Sequence, residues 1–224
     1  MQISVIIPVY NEKESLPKLL EMFPVEKNYE IVIVDDSEQD YSKIILDSFP
    51  QLNIKYIHRG KRLGLSSAVI DGFKSSSGEV LVCLDGDGSH PPEVIPSMVK
   101  SLQESQMVIA SRYIQGGSLD PEWNLIRRFI SRACCLLAAP IIRVKDPMSG
   151  YFAVKKEDFE LVKELRPVSY KIALEIAIKG KFKNISEVPF HFASRFKGRS
   201  KVTFKVIIGM IYHLFSLYFF KIFR

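Results

Sequence analysis

Cysteine is scarce, with three in 224 residues, at 83, 134 and 135. The count is odd and has no metal-ligand spacing, so the thiols read as buried side chains in a reducing compartment. No G-x-G-x-x-G follows the first apolar run; that position holds Pro8-Val9-Tyr10-Asn11-Glu12, which speaks against a dinucleotide-dependent dehydrogenase. A phosphate-binding P-loop is also missing, as are internal repeats and low-complexity tracts. Met1-Gln2 leads straight into an apolar strand, without a signal peptide, and the expectation is a protein whose body stays in the cytoplasm. Long apolar runs are lacking too. The longest uncharged stretch near the end is the fifteen residues Val206–Phe220 between Lys205 and Lys221. As a helix it covers about 22 Å, short of the roughly 20 apolar residues that cross a bilayer.

What is present is ordinary in amount and informative in arrangement. Hydrophobic residues make up 47% and charged residues 25%, as in a globular domain. The length allows one large domain, or one domain with an appendage. A net charge of +6 and a pI near 9.1 call for an anionic partner. Nucleic acid, an anionic membrane surface and a phosphorylated substrate all qualify.

The first half alternates strand and helix. Strands are expected at Ile3–Val9, Glu30–Val34, Ile54–Ile57, Glu79–Leu84 and Met107–Ala110. Helices are expected at Glu12–Phe23, Ser42–Phe49, Leu65–Ser75 and Pro92–Gln103. This alternation predicts an α/β fold with a mostly parallel sheet and helices on both faces. Beyond Arg112 the pattern changes. Leu125–Leu137 reads as a helix carrying Arg127, Arg128 and Arg132 beside apolar residues, and Asp146–Gly150 as a tight polar loop. Lys171–Lys179 reads as a helix, Ile185–Pro189 as a strand and Arg195–Lys201 as a basic loop. The final helix is flanked by lysines, rich in Phe and Tyr, and apolar nearly all round. That composition suits a helix lying in a membrane interface; packing on the domain or on a second copy is the alternative.

The most informative segment is Val80–Glu93, VLVCLDGDGSHPPE. A buried strand runs into Asp85 and Asp87, where open α/β sheets bind ligands. Two carboxylates one residue apart, with glycines freeing the backbone, suit Mg2+ or Mn2+ and leave positions open for substrate phosphates. The alternative is an acidic turn that caps the next helix. Asp35 and Asp36 end the second strand and Glu12 follows the first, so the whole carboxyl edge of the sheet is acidic. Such groups can hold ribose hydroxyls, a base edge and a metal, with phosphates met by the metal and by cations such as Arg112. An acidic edge with cations confined to two loops and one helix argues against a nucleic-acid-binding module.

IIPVYNE, IVIVDDS, LDGDGSHPPE, ASRY, DPMSGYF and RFKGRSK, in that order, resemble the motifs of GT-A-fold, family 2 glycosyltransferases. Within them the chain is most similar to the polyprenyl-phosphate (dolichol-phosphate) mannosyltransferases. The likeness runs from Ile3 to about Lys201. It implies that Pro8, Tyr10, Glu12 and Asp35 hold the nucleoside, and that Asp85 and Asp87 hold the metal, with Asp85 also serving the nucleotide. Ser89 stands where many relatives have a metal-ligating Gln, so its part as third ligand is weaker. Arg112, Arg195 and Lys201 would meet the donor and acceptor phosphates. Ser149, Gly150 and Ser200 would border the acceptor. Residues 1–202 would form the catalytic domain, with an interface helix at about 125–138, and 203–224 a C-terminal interface helix. The implied partners are a nucleotide-sugar donor, a polyprenyl-phosphate acceptor and a membrane surface, without nucleic acid. The implied place is the cytoplasmic face of the membrane, peripheral or monotopic.

Overall fold

The computed structural model describes residues 1–166, 171–196 and 204–223. These residues form strands β1 (Ile3–Val9), β2 (Glu30–Asp35), β3 (Asn53–His58), β4 (Val80–Cys83), β5 (Met107–Ser111), β6 (Ser118–Leu119), β7 (Phe152–Lys155), β8 (Ile185–Pro189) and β9 (His191–Phe192). The helices are α1 (Ser15–Glu21), α2 (Ser42–Ser48), α3 (Leu65–Ser75), α4 (Ile95–Ser101), α5 (Leu125–Ala138), α6 (Lys156–Glu160), α7 (Ile172–Lys179) and α8 (Phe204–Phe223).

Seven strands make one sheet in the order β3-β2-β1-β4-β7-β5-β8, and β6 pairs with β9 in a small second sheet. Neighbours in the main sheet run parallel except β7, which is antiparallel to both β4 and β5. Strands β2, β4 and β5 are buried along their whole length, as a sheet covered on both faces requires. Alternation along each strand feeds two separate cores. Ile6, Val32, Val34 and Leu81 pack with α3, α5 and α7 on one face. Val5, Ile7, Ile33 and Val82 pack with α1, α2 and α4 on the other. The three cysteines are buried, and burial pushes the Cys135 thiol up to about 12.

Four elements depart from the sequence expectation. β7 falls in a stretch to which the sequence pattern assigns no element, yet it is the strand that joins the two parts of the sheet. The short β6–β9 pair and α6 were not expected either. The chain winds from β1 out to β3 and returns to β4 on the other side of β1. Strand order therefore reverses between β1 and β4, which places the ligand crevice at their carboxyl ends.

Helix α8 packs on the domain along one face. Leu214 and Leu217 are buried in the core it shares with α3, α5 and α7. The fully buried Glu175 of α7 faces His213 Nε2 at 3.3 Å and Lys179 Nζ at 2.5 Å, and accepts the Arg166 N–H at 2.9 Å. The Tyr218 hydroxyl donates to the Leu137 carbonyl, and Lys221 Nζ to the Ile141 carbonyl at 2.6 Å, tying α8 to α5 and the turns after it. The other face leaves Tyr212, Phe215, Phe219, Ile222 and Phe223 exposed. Helix α5 likewise exposes Leu125, Ile126, Phe129 and Leu136. Among the described residues no helix is long and apolar enough to cross a membrane.

Candidate active site

Strand β4 ends at Cys83, and the Leu84 N–H extends the ladder by one bond to the Ile6 carbonyl. The chain then turns through Asp85-Gly86-Asp87-Gly88. Both glycines are required by close approach. A Cβ on Gly86 would lie 2.9 Å from Val9 Cγ1. Gly88 has φ +84°, and a Cβ there would lie 2.2 Å from the Phe196 ring. The loop after β9 is thus laid over the turn. The Phe196 N–H donates to the Asp87 carbonyl at 3.0 Å, and the Ala193 N–H to the Ser89 carbonyl at 3.2 Å.

Asp87 is oriented by three groups. Oδ1 accepts the Ser89 N–H at 3.0 Å and the Ser89 hydroxyl at 2.5 Å, while Oδ2 meets Arg195 Nε at 2.7 Å. Ser89, expected as a third metal ligand, is fully buried with its hydroxyl turned onto Asp87. Its place in this arrangement is to hold the carboxylate. Among the described residues no three His, Cys, Asp or Glu side chains converge on a metal-sized site. Two carboxylates with hard oxygen donors remain. Asp85 is about one-third exposed, and Asp87 Oδ2 already faces a positive charge. This donor set fits a divalent cation that completes its shell with phosphate oxygens or water.

Asp85 lies beside His90, whose Nδ1 accepts the Asp85 N–H at 2.9 Å. His90 is buried, and burial pushes its imidazole below the ordinary value; Asp85 and Asp87 oppose that shift, while Arg112 and Arg195 add to it.

A cavity of ≈ 350 Å³ opens along this edge. Pro8, Tyr10, Glu12, Asp85, Asp87, Arg112, Ser149, Gly150 and Arg195 all border it, so most of the residues expected from sequence converge. Asp35 borders a neighbouring cavity of ≈ 80 Å³ that Val9 and Glu12 also line. Its carboxylate accepts Ser37 N–H at 2.8 Å and the Tyr56 hydroxyl at 2.7 Å. Asp36 borders the larger cavity. It accepts Arg59 Nε at 2.6 Å and the Leu63 and Gly64 N–H groups at 2.8 Å, and so braces the loop before α3. Ser149 accepts the Tyr151 N–H at 3.2 Å in a tight turn. Ser200 and Lys201 lie outside the described residues.

Arg112 differs from expectation in its partner. Nε and Nη2 each donate to Asp146 at 2.7 Å, and its backbone N–H donates to the same carboxylate at 3.0 Å. The rings of Tyr113, Trp123 and Phe192 surround the guanidinium at 5.2–5.7 Å. Asp146, read as a turn former, is fully buried. Only Nη1 of Arg112 lies outside this bidentate pair, so its first role is to build the cavity wall.

The cavity also takes in residues not expected from sequence. Arg127 and Ser131 reach it from α5, and Lys171 from the start of α7. Lys171 Nζ donates to the Met148 carbonyl at 2.5 Å; burial, and then Arg112, push it below the usual lysine value. Ile130, Cys134 and Met210 also line this end, between α5 and α8. The cavity therefore joins the carboxylates of Asp85 and Asp87, with Arg195 and Arg62 nearby, to the cations and apolar side chains of α5, the start of α7, and α8.

Residues 4–162 match the family model described as Glycosyl transferase family 2. The chain belongs to glycosyl transferase family 2. Within that family it is 43% identical, over an alignment of 229 positions that covers 97% of this chain, to a dolichol-phosphate mannosyltransferase of Pyrococcus furiosus. It spans 64% of that relative's length. It is also 37% identical to a dolichol-phosphate mannosyltransferase of Saccharomyces cerevisiae, covering 99% of this chain and 88% of that one. Among solved structures it resembles a glucosyl-3-phosphoglycerate synthase of Mycobacterium tuberculosis in complex with Mn2+, UDP and glucosyl-3-phosphoglycerate. The TM-score is 0.72 at 18% identity, over 98% of this chain and 79% of that one. That likeness shows the GT-A fold for this family 2 chain.

Proposed function

We propose that this family 2 chain transfers a hexose, with mannose from GDP-mannose favoured, to a polyprenyl or dolichyl phosphate at the cytoplasmic face of a membrane. The cavity carries this reading: one continuous space joins the Asp85–Asp87 edge to the cations and apolar side chains between α5 and α8. A nucleotide sugar suits the first end and a phosphate on an apolar chain the second. The naming of the relatives at 37–43% identity supports the same chemistry.

Asp85 and Asp87 would hold Mg2+ or Mn2+, which when bound supplies positive charge against the leaving diphosphate. The residues of this chain do the rest. Glu12, with Asp35 in the adjoining cavity, would accept hydrogen bonds from the nucleoside. Arg195, beside Asp87, would add charge at the diphosphate. Lys171 and Arg127 would orient the acceptor phosphate. A phosphate monoester has its second pKa near 6 and is mostly dianionic at neutral pH, so no general base is needed. An acceptor oxygen would attack the anomeric carbon and form the new C–O bond. The bond to the diphosphate would break with its electrons leaving on the nucleotide. One displacement inverts an α-linked donor to a β-linked lipid-phosphate sugar.

The test is a donor screen with radiolabelled nucleotide sugars, a short polyprenyl phosphate and Mn2+. Label passing from GDP-mannose into the lipid phase is expected. Glucose transfer from UDP-glucose would replace mannose in this reading, and transfer only to a soluble glycan would overturn the acceptor assignment.

The exposed apolar faces of α5 and α8 give the membrane half of the proposal its own test. Each large side chain that leaves water gains about 1.5–3 kcal/mol. Replacing Phe129, Phe215 and Phe219 with serine is expected to shift the protein from sedimented to free in a vesicle co-sedimentation assay. The melting temperature should change little, since these side chains are mostly exposed and the ring contact of Phe219 is to Phe223 on the same exposed face. Unaltered vesicle binding would remove α5 and α8 as the membrane-facing surface.

A further inference from the structure

We propose that His90 is a positioning residue that sets the direction of Asp85 through its backbone amide, and so aims the Asp85 carboxylate at the cation. The proposal rests on the metal assignment to Asp85 and Asp87 and deepens it.

Asp85 is where the β1–β4 ladder has ended, so its N–H needs a partner outside the sheet. That partner is His90 Nδ1, five residues on, at 2.9 Å. An amide can only donate, so Nδ1 must accept and carries no proton. Its lone pair is thereby directed at the amide and away from any ion. The carboxylate Oδ2 stands 3.8 Å from the same nitrogen, too far for a hydrogen bond, so the ring acts through the main chain.

The ring has little freedom to turn. Tyr151 stacks on it at 5.1 Å and 24°, while Phe190 and Phe192 meet it edge-on at 5.7 and 5.6 Å. Tyr151 is itself fixed by its hydroxyl, which donates to the Pro91 carbonyl at 2.9 Å. Gly150 closes the remaining side. A Cβ there would lie 3.6 Å from His90 Cε1 and 3.7 Å from Asp85 Oδ1, in ordinary contact with both. An aromatic residue kept only for packing would fill this box equally well, but would leave the Asp85 amide without an acceptor.

Three substitutions separate these roles. His90→Phe keeps an aromatic ring in the box and removes the acceptor. Asn carries an oxygen near the position of Nδ1, and Gln carries one near Nε2. Mn2+ affinity is measured by titration calorimetry on the full chain with GDP present, and thermal melting is followed in parallel. His90→Phe and His90→Gln are expected to bind Mn2+ about 10–100-fold more weakly. His90→Asn is expected to stay within about threefold of the unsubstituted protein, even though it loses the aromatic packing and melts earlier. Wild-type affinity in His90→Phe would overturn the proposal. So would equal weakening in His90→Asn and His90→Gln, a comparison that holds if the Phe variant fails to fold. If the unsubstituted chain takes up no Mn2+ and Asp87→Ala makes no difference, the metal assignment itself is overturned, and this proposal falls with it.

Discussion

Asp87→Ala is expected to cut sugar transfer by about 10²–10³-fold or more while the fold survives. The carboxylate lies on a turn at the sheet edge, with Ser89 and Arg195 as its partners. The Arg195 side chain is one-third exposed and can turn to solvent, while the buried Ser89 loses its acceptor at a cost of about 1–3 kcal/mol, small beside the stability of a domain. The loss therefore falls on charge stabilisation at the leaving diphosphate. The measurement is label transfer from GDP-mannose to polyprenyl phosphate in Mn2+, paired with a melting curve. Asp87→Asn preserves the shape and the Ser89 bonds, so a similar loss there would assign the effect to charge. Full activity in Asp87→Ala would remove the cation from this site.

A second large effect is expected at Asp146, this time in stability. Arg112 directs Nε, Nη2 and its backbone N–H to that one carboxylate, which has no solvent exposure. Asp146→Ala leaves a buried guanidinium among aromatic rings without its counter-charge. Breaking such a pair costs about 3–5 kcal/mol, out of a total that is only about 5–15 kcal/mol for most domains. At this chain length the melting temperature should fall on the order of 10 °C. Replacing both partners with apolar residues of similar size, Arg112→Met with Asp146→Leu, should recover most of the loss. A single Asp146→Ala variant that melts within about 2 °C of the unsubstituted protein would show that the pair adds little.

The parts legible in sequence are those in which local pattern and function coincide. The strand–helix alternation through residue 111 comes from apolar runs whose flanks are turn formers, and Leu65–Ser75 lies where its spacing puts it. Asp85 and Asp87 were readable because a buried strand, two glycines and two carboxylates fall within a few residues. Arg112 shows the limit. An arginine after a strand looks the same whether it meets a substrate phosphate or a buried partner, and Asp146 lies 34 positions away. Arg127 and Ser131 sit on α5 at ordinary spacing and Lys171 just before α7, and only the fold draws them to one cavity. Ser89 invited comparison with a ligand, whereas its neighbour Asp87 takes up its hydroxyl. β7 is four residues long inside a segment rich in turn formers, too short for its alternation to register.

That inserted strand has a consequence for assembly of the chain. Until residues 152–155 emerge, β4 has β1 on one side and nothing on the other, while β5 lacks the neighbour through which it joins the sheet. A nascent chain ending before residue 152 can zip β3, β2, β1 and β4 together from nearby segments, yet it presents β4 as an open edge. Open edges recruit foreign strands. β7 thus enters as a wedge from later in the sequence, and until it does the β4 edge is open to foreign pairing.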